Sequence, residues 1–352
     1  MKRAILSVAG SGKTTLLVNT LSLDKRSLLL TYTDNNADNL RQSVVEKFGF
    51  IPDGVLVSTW FSFVLNFLIK PFVIEQCQHR ITRLVFAKDS IPRYLKELSR
   101  FMPEEDSVYH SRAFEFVQQY IGGNRILSRI CKFFDEVLVD EVQDYAGYDF
   151  DFIELLGQSD IDVTIVGDFF QHTFDTSRDG AKDKTLHDDF SVYKKRLGKY
   201  YKLDECTLSK SYRCTAEVSL FIKEKLGIAI ESHHSHKDEN GPVLIADKTE
   251  IETIMLNPSC KKLFYQKYYD YRCDGGNWGD CKGLSYENVC VVLNPTTLKC
   301  FLTDNLSGLS PKTRNKFYVA CTRTKGNLCF IKESDIVSYK KGNGAAPDRR
   351  NA

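Results

Sequence analysis

Three things are missing from this sequence, and each absence removes a class of protein. There is no excess of one charge: 48 Lys and Arg stand against 46 Asp and Glu, a formal net charge of +2. Composition alone therefore announces no polyanion or membrane surface, although a basic groove offset by acidic surface elsewhere would give the same sum. The eleven cysteines are scattered, odd in number and without a C-x-x-C pair, which indicates neither a disulfide framework nor a zinc ribbon and leads us to expect reduced thiols and a cytoplasmic setting. No apolar run approaches the length of a membrane span, and Met1-Lys2-Arg3 leads into a short strand rather than a secretory signal. No internal repeat is evident either. What is present, 42% hydrophobic residues over 352 positions, suffices for two domains with cores of their own.

The chemistry concentrates near the N-terminus, in Ser7-Val-Ala-Gly-Ser-Gly-Lys-Thr-Thr15. Residues 4–8 enter as a strand and residues 14–23 leave as a helix. Between them the small residues Ala9, Gly10, Ser11 and Gly12 let backbone N–H groups curl round a polyphosphate, aided by the positive end of the helix. Lys13 would reach the β- and γ-phosphates of ATP, the Thr14 hydroxyl would hold Mg2+, and Thr15 completes the loop. Ser7 stands where the usual pattern has glycine.

Further short apolar strands are read at 27–33, 55–60, 136–139 and 162–167, with an Asp or Asn cap opening a helix within residues 34–41 and an apolar helix over 61–69. Residues 70–134 read as several short helices. The strand at 136–139 ends on Asp140 and Glu141, at the end where open α/β sheets place their ligands. There Asp140 can hold Mg2+ and Glu141 can polarise an attacking water. Gln171, behind Asp168, is placed to sense a γ-phosphate or a water. From residue 201 a second α/β unit is read, with a helix from Thr215, strands at 241–246, 288–293 and 327–331, and a helix over 316–323. The alternation predicts an α/β fold with parallel sheets. His233, His234 and His236, with Cys273 and Cys281 further on, lack ligand spacing and read as a solvated loop rather than a metal site.

Taken in order, these segments resemble the motifs of superfamily 1 helicases of the UvrD/Rep type, over nearly the full length. Ala9-Gly-Ser-Gly-Lys-Thr14 resembles the first motif, and Thr31-Tyr-Thr-Asp-Asn-Asn-Ala37 the segment that touches single-stranded nucleic acid. Ser58-Thr-Trp-Phe-Ser62 is similar to T-F-H-S. Asp140-Glu-Val-Gln-Asp144 resembles D-E-x-Q-D, and Gly167-Asp-Phe-Phe-Gln171 resembles G-D-x-x-Q. In the second half Ser211-Tyr-Arg213 is similar to N-Y-R, Lys282-Gly-Leu-Ser-Tyr286 to K-G-L-E-F, and Tyr318-Val-Ala-Cys-Thr-Arg323 to Y-V-A-x-T-R.

The resemblance implies two RecA-like domains of the P-loop NTPase fold: residues 1–200, with a small helical insertion at about 70–134, and residues 201–335, followed by a disordered tail at 336–352. It implies ATP in the cleft between them, Glu141 and Gln171 as catalytic residues, and Arg213 and Arg323 as arginine fingers. It further implies ATP-driven translocation or unwinding on single-stranded DNA, 3′ to 5′, with RNA not told apart from DNA. Tyr32, Thr33, Asn35, Thr59, Trp60 and Phe174 are the implied nucleic-acid contacts, with Phe61 a further candidate ring. Three departures qualify the match. With three residues ahead of the first strand, the adenine-recognising glutamine segment is not expected. Gly279 and Ser285 replace a histidine and a glutamate of the fifth motif, and the interval between Arg213 and Lys282 is too short for the large second insertion. These leave a second reading, a regulatory NTPase or nucleic-acid sensor acting on a protein partner such as a nuclease. No membrane partner is expected.

Overall fold

The short apolar runs become parallel strands, and Ser27–Thr31 and Glu136–Val139 are buried on both faces, as a sheet covered by helices on either side requires. In a computed structural model, which describes residues 1–77, 79–86, 97–173, 182–235 and 241–341, the chain divides into two units. The first comprises residues 1–7, 13–169 and 174–207. Its six-stranded sheet runs in the order Val55–Thr59, Ser27–Thr31, Glu136–Val139, Asp162–Gly167, Lys2–Leu6, Lys202–Asp204, and every pairing is parallel. Ser27–Thr31 and Glu136–Val139, at the centre, are buried at every position. Because all the strands point the same way, the residues that follow them gather along one edge of the sheet.

Local chemistry sets the helices. Thr33 caps Asp34–Phe48 by accepting from Asn36 N at 3.3 Å, and Gly49 ends that helix in the left-handed conformation at φ 82°. The insertion expected to be helical is mixed. Beside the helices Lys70–Cys77, Ala113–Tyr120 and Gly123–Phe133 it carries two short parallel strands, Arg83–Val85 and Ser107–Tyr109. The division expected after residue 200 falls later, because Lys202–Asp204 pairs with Lys2–Leu6 and the first unit runs to Thr207.

The second unit comprises residues 8–12, 170–173 and 208 onward. Its five-stranded sheet is also all parallel, in the order Val243–Leu244, Leu328–Lys332, Asn288–Leu293, Cys260–Phe264, Gly275–Asn277. Along Asn288–Leu293 the side chains alternate between two cores: Val289, Val291 and Leu293 pack with Trp278, Phe317 and Phe330, while Cys290 and Val292 pack with Ile331 and Ile336. The strand Cys260–Phe264 escaped the sequence reading because Lys261 and Lys262 interrupt its apolar run. Lys262 is nonetheless buried, its ammonium donating to the Asn257 carbonyl at 2.6 Å. Of the tail expected to be disordered from 336, the first residues are ordered, since Glu333–Tyr339 forms a 3-10 helix with Ile336 fully buried. Residues 342–352 lie outside the described residues. No helix is long and apolar enough to cross a membrane among the described residues.

Candidate active site

In the first unit, two of the strand ends bring four of the expected residues together. Lys13 opens the helix Lys13–Thr20, and its ammonium lies 3.8 Å from a carboxylate oxygen of Glu141, with both side chains nearly buried. The Thr14 hydroxyl is 3.4 Å from Asp140 Oδ2. These hard oxygen donors, on a largely buried carboxylate, suit a Mg2+ ion. Glu141 follows the strand Glu136–Val139 in the left-handed conformation, φ 54° and ψ 44°, where non-glycine residues are uncommon and such strain gathers at functional sites. Its backbone N–H donates to Asp140 Oδ1 at 2.9 Å.

What holds Glu141 in place is a residue to which the sequence reading gave no role. Gln143 donates from Nε2 to Glu141 Oε2 at 2.6 Å, and its Oε1 accepts from the Asp168 N–H at 3.0 Å. One side-chain amide thus ties the ends of two neighbouring strands together. Gly167 makes room for it: a Cβ there would fall 2.3 Å from Gln143 Oε1 and 2.8 Å from Val142 Cγ1. The D-E-x-Q-D spacing was the available signal, since it places Gln143 two positions beyond Glu141.

The second unit holds the loop's apex, 8–12, together with 170–173. Gly10 and Gly12 adopt φ 69° and 85°. At Gly10 both the conformation and the space exclude a side chain, because a Cβ would meet Arg213 Cβ at 2.6 Å and Ser211 Oγ at 2.9 Å. Ala9 N donates to the Tyr318 hydroxyl at 2.9 Å, and Tyr212 N donates to the Gly10 carbonyl at 2.9 Å. The buried Ser11 hydroxyl has no hydrogen-bond partner among the described residues. Arg213 donates to the Thr322 carbonyl at 3.2 Å. Arg323, only 1% exposed, donates to Gln171 Oε1 at 3.2 Å and to the Val319 and Leu284 carbonyls at 3.1 and 3.3 Å. Gln171 and Arg323 are thereby already paired. Tyr212 was passed over in the sequence, yet its ring is 62% exposed, stacks on His233 at 3.8 Å and 13°, and lies 3.8 Å from the position of a Cβ on Gly12.

The expected nucleic-acid residues that the structure describes end or follow two paired strands but differ in burial. Tyr32 is half-buried and Asn35 exposed, whereas Thr33 serves as a helix cap and Thr59 is buried. Trp60 is a correction. It is fully buried, with ring centroids 4.7 Å from Phe152, 5.1 Å from Tyr145 and 5.6 Å from Phe114, so it is a core residue and no base can stack on it. Phe174 and His236 lie outside the described residues. No group of three or more metal-ligating His, Cys, Asp or Glu side chains occurs among the described residues.

The model of the viral superfamily 1 RNA helicase core domain matches residues 124–332. No curated protein matches the chain. Three of the similar solved structures are helicases. Arterivirus nonstructural protein 10 (helicase) in complex with DNA shares 15% identity, with 94% of this chain and 61% of that chain covered and a TM-score of 0.44. The PRRSV helicase shares 12%, with 96% and 53% covered and a TM-score of 0.46. The crystal structure of arterivirus nonstructural protein 10 (helicase) shares 15%, with 97% and 62% covered and a TM-score of 0.46. The chain therefore spans between 53% and 62% of the length of these helicases. The matched residues 124–332 make up more than half of the 352-residue chain. The chain belongs to the viral superfamily 1 RNA helicase core domain family, and each of its two units carries the parallel α/β sheet expected from the sequence.

Proposed function

We propose that this chain is a motor core that hydrolyses ATP to move along, and unwind to, a single nucleic-acid strand. The observation that carries the reading is the convergence of Lys13, Thr14, Asp140 and Glu141 at adjoining strand ends. On binding ATP, Lys13 would exchange its contact with Glu141 for the β- and γ-phosphate oxygens. Glu141, released from that partner and still held by Gln143, would take a proton from the attacking water. Thr14 and Asp140 would hold Mg2+, whose charge offsets that of the phosphates. The backbone N–H groups from Ala9 to Thr15 and the unpartnered Ser11 hydroxyl would receive phosphate oxygens. Arg213 and Arg323 would stabilise charge on the transferred phosphoryl group, Gln171 would hold Arg323, and the exposed Tyr212 ring would seat the nucleotide base.

Tyr32, Thr33, Asn35, Thr59 and Phe174 remain the proposed strand contacts. Within superfamily 1, the UvrD/Rep resemblance supports 3′ to 5′ movement on DNA, while the description of the matched family names RNA. Phosphate and stacking contacts do not distinguish the two. Both strands should therefore stimulate turnover. Steady-state ATP hydrolysis with and without single-stranded DNA or RNA, with Lys13→Ala as control, tests the proposal. Stimulation by a strand and silence in Lys13→Ala are expected. Brisk hydrolysis indifferent to either strand would overturn it, leaving the regulatory NTPase with a partner such as a nuclease.

A further inference from the structure

Four rings form a continuous strip on the first unit. Tyr32 follows the strand Ser27–Thr31 and meets Phe61, just beyond the strand Val55–Thr59, edge-on at 5.4 Å. Phe61 in turn meets Phe86 at 5.2 Å and His110 at 5.6 Å, both edge-on. Phe86 then lies nearly flat on His110, with centroids 4.5 Å apart and planes at 22°.

The last pair is built by the two-strand ladder. Arg83–Val85 pairs in parallel with Ser107–Tyr109, Val85 opposite Tyr109, so the residues that follow, Phe86 and His110, are delivered side by side. His110 Nδ1 lies 3.1 Å from the Val85 carbonyl, which fixes the ring plane. Burial holds its pKa below the ordinary value against the opposing pull of that carbonyl, leaving a neutral imidazole at neutral pH. Tyr32, Phe61 and His110 are half-buried, whereas Phe86 is 60% exposed. A large ring backed by a fixed aromatic plane is thus presented outward, at the end of a strip that begins where the sheet's ligand edge lies. Trp60, the ring expected to serve at that edge, is lost to the core.

We propose that Phe86, laid on His110, is a stacking platform for one base of the bound single strand. The inference rests on the motor reading above. Any base has a π face, so the platform should tolerate all sequences.

The test uses the full chain and fluorescein-labelled dT and U 20-mers, with affinity read by anisotropy. Phe86→Ala should weaken binding about tenfold, the scale of one lost base stack. It should raise the strand concentration for half-maximal stimulation and leave strand-free ATP hydrolysis and its KM unchanged. Phe86→Leu, which keeps apolar bulk without a ring, should behave like Phe86→Ala. Phe86→Trp should bind as tightly as the parent, and its exposed indole should be quenched by unlabelled dT 20-mer. Parent-like affinity in Phe86→Ala, or an indole blind to a saturating strand, would overturn the platform while leaving the motor intact. If the parent chain bound neither strand, motor and platform would fall together.

Discussion

Adding one methyl group at Gly167 should loosen Glu141 without touching it. The Cβ of Gly167→Ala would arrive 2.3 Å from Gln143 Oε1, 2.8 Å from Val142 Cγ1 and 3.1 Å from Val142 N, all below comfortable contact. The glutamine amide is the softest of these neighbours, but it is anchored on both sides, by the Asp168 N–H and by Glu141. Overpacking of this kind costs about 1–3 kcal/mol, and depriving the buried Asp168 N–H of its acceptor costs about 1–3 kcal/mol more. The sum, about 2–6 kcal/mol, corresponds to a fall in Tm of roughly 4–24 °C for a domain near 200 residues. Thermal unfolding by circular dichroism reads it, and turnover should fall with it as Glu141 loses its support. In a Gln143→Ala background the methyl group meets no amide, so the double variant should cost less than the sum of the singles. A Gly167→Ala protein that melts within a degree of the parent, with unaltered turnover, would refute the reasoning.

Glu141→Gln should bind ATP as the parent does while turnover stops, and normal turnover in it would remove Glu141 from the role of base. Trp60→Ala should cost about 3–5 kcal/mol of stability, as deletion of a buried indole does. A variant with unchanged Tm but lost strand binding would show that the ring touches nucleic acid after all. Asp204 is raised by burial but pulled further down by hydrogen bonds from Thr207 and Arg3, so its folded pKa lies well below the ordinary 3.8. Such a depressed carboxylate contributes stability that is fully present above the ordinary value and lost as pH falls below it towards the folded value. Asp204→Asn should therefore be less stable than the parent by a constant margin at neutral pH, and the margin should close only below about pH 4. A gap that persisted unchanged in acid would contradict the depressed pKa.

Everything that depends on short spacing was legible in the sequence. The strand, loop and helix around residues 2–20, the acidic end of the strand Glu136–Val139 and the starts of the helices at Asp34 and Ala216 each lie within a few residues of chain, and local rules of strand, turn and helix place them, although the cap read as Asp or Asn is Thr33. The parallel α/β class was legible too, because strands buried on both faces write themselves as uninterrupted apolar runs. A run that lysines interrupt does not, and Cys260–Phe264 was missed for that reason. What only the tertiary structure decided concerns pairs far apart in the chain. Trp60 looked like a ring waiting for a base, and it became core because the helices Ala113–Tyr120 and Tyr148–Gly157 bring Phe114 and Phe152 against it. Gln143 acquired a role because Gly167, on the neighbouring strand, leaves a gap of its size. Phe86 and His110 became neighbours through the register of two three-residue strands. Aromatic residues carry no mark in sequence that separates a ring to be buried from a ring to be shown, since both favour the same apolar surroundings. Which one faces solvent is set by the elements that pack over it.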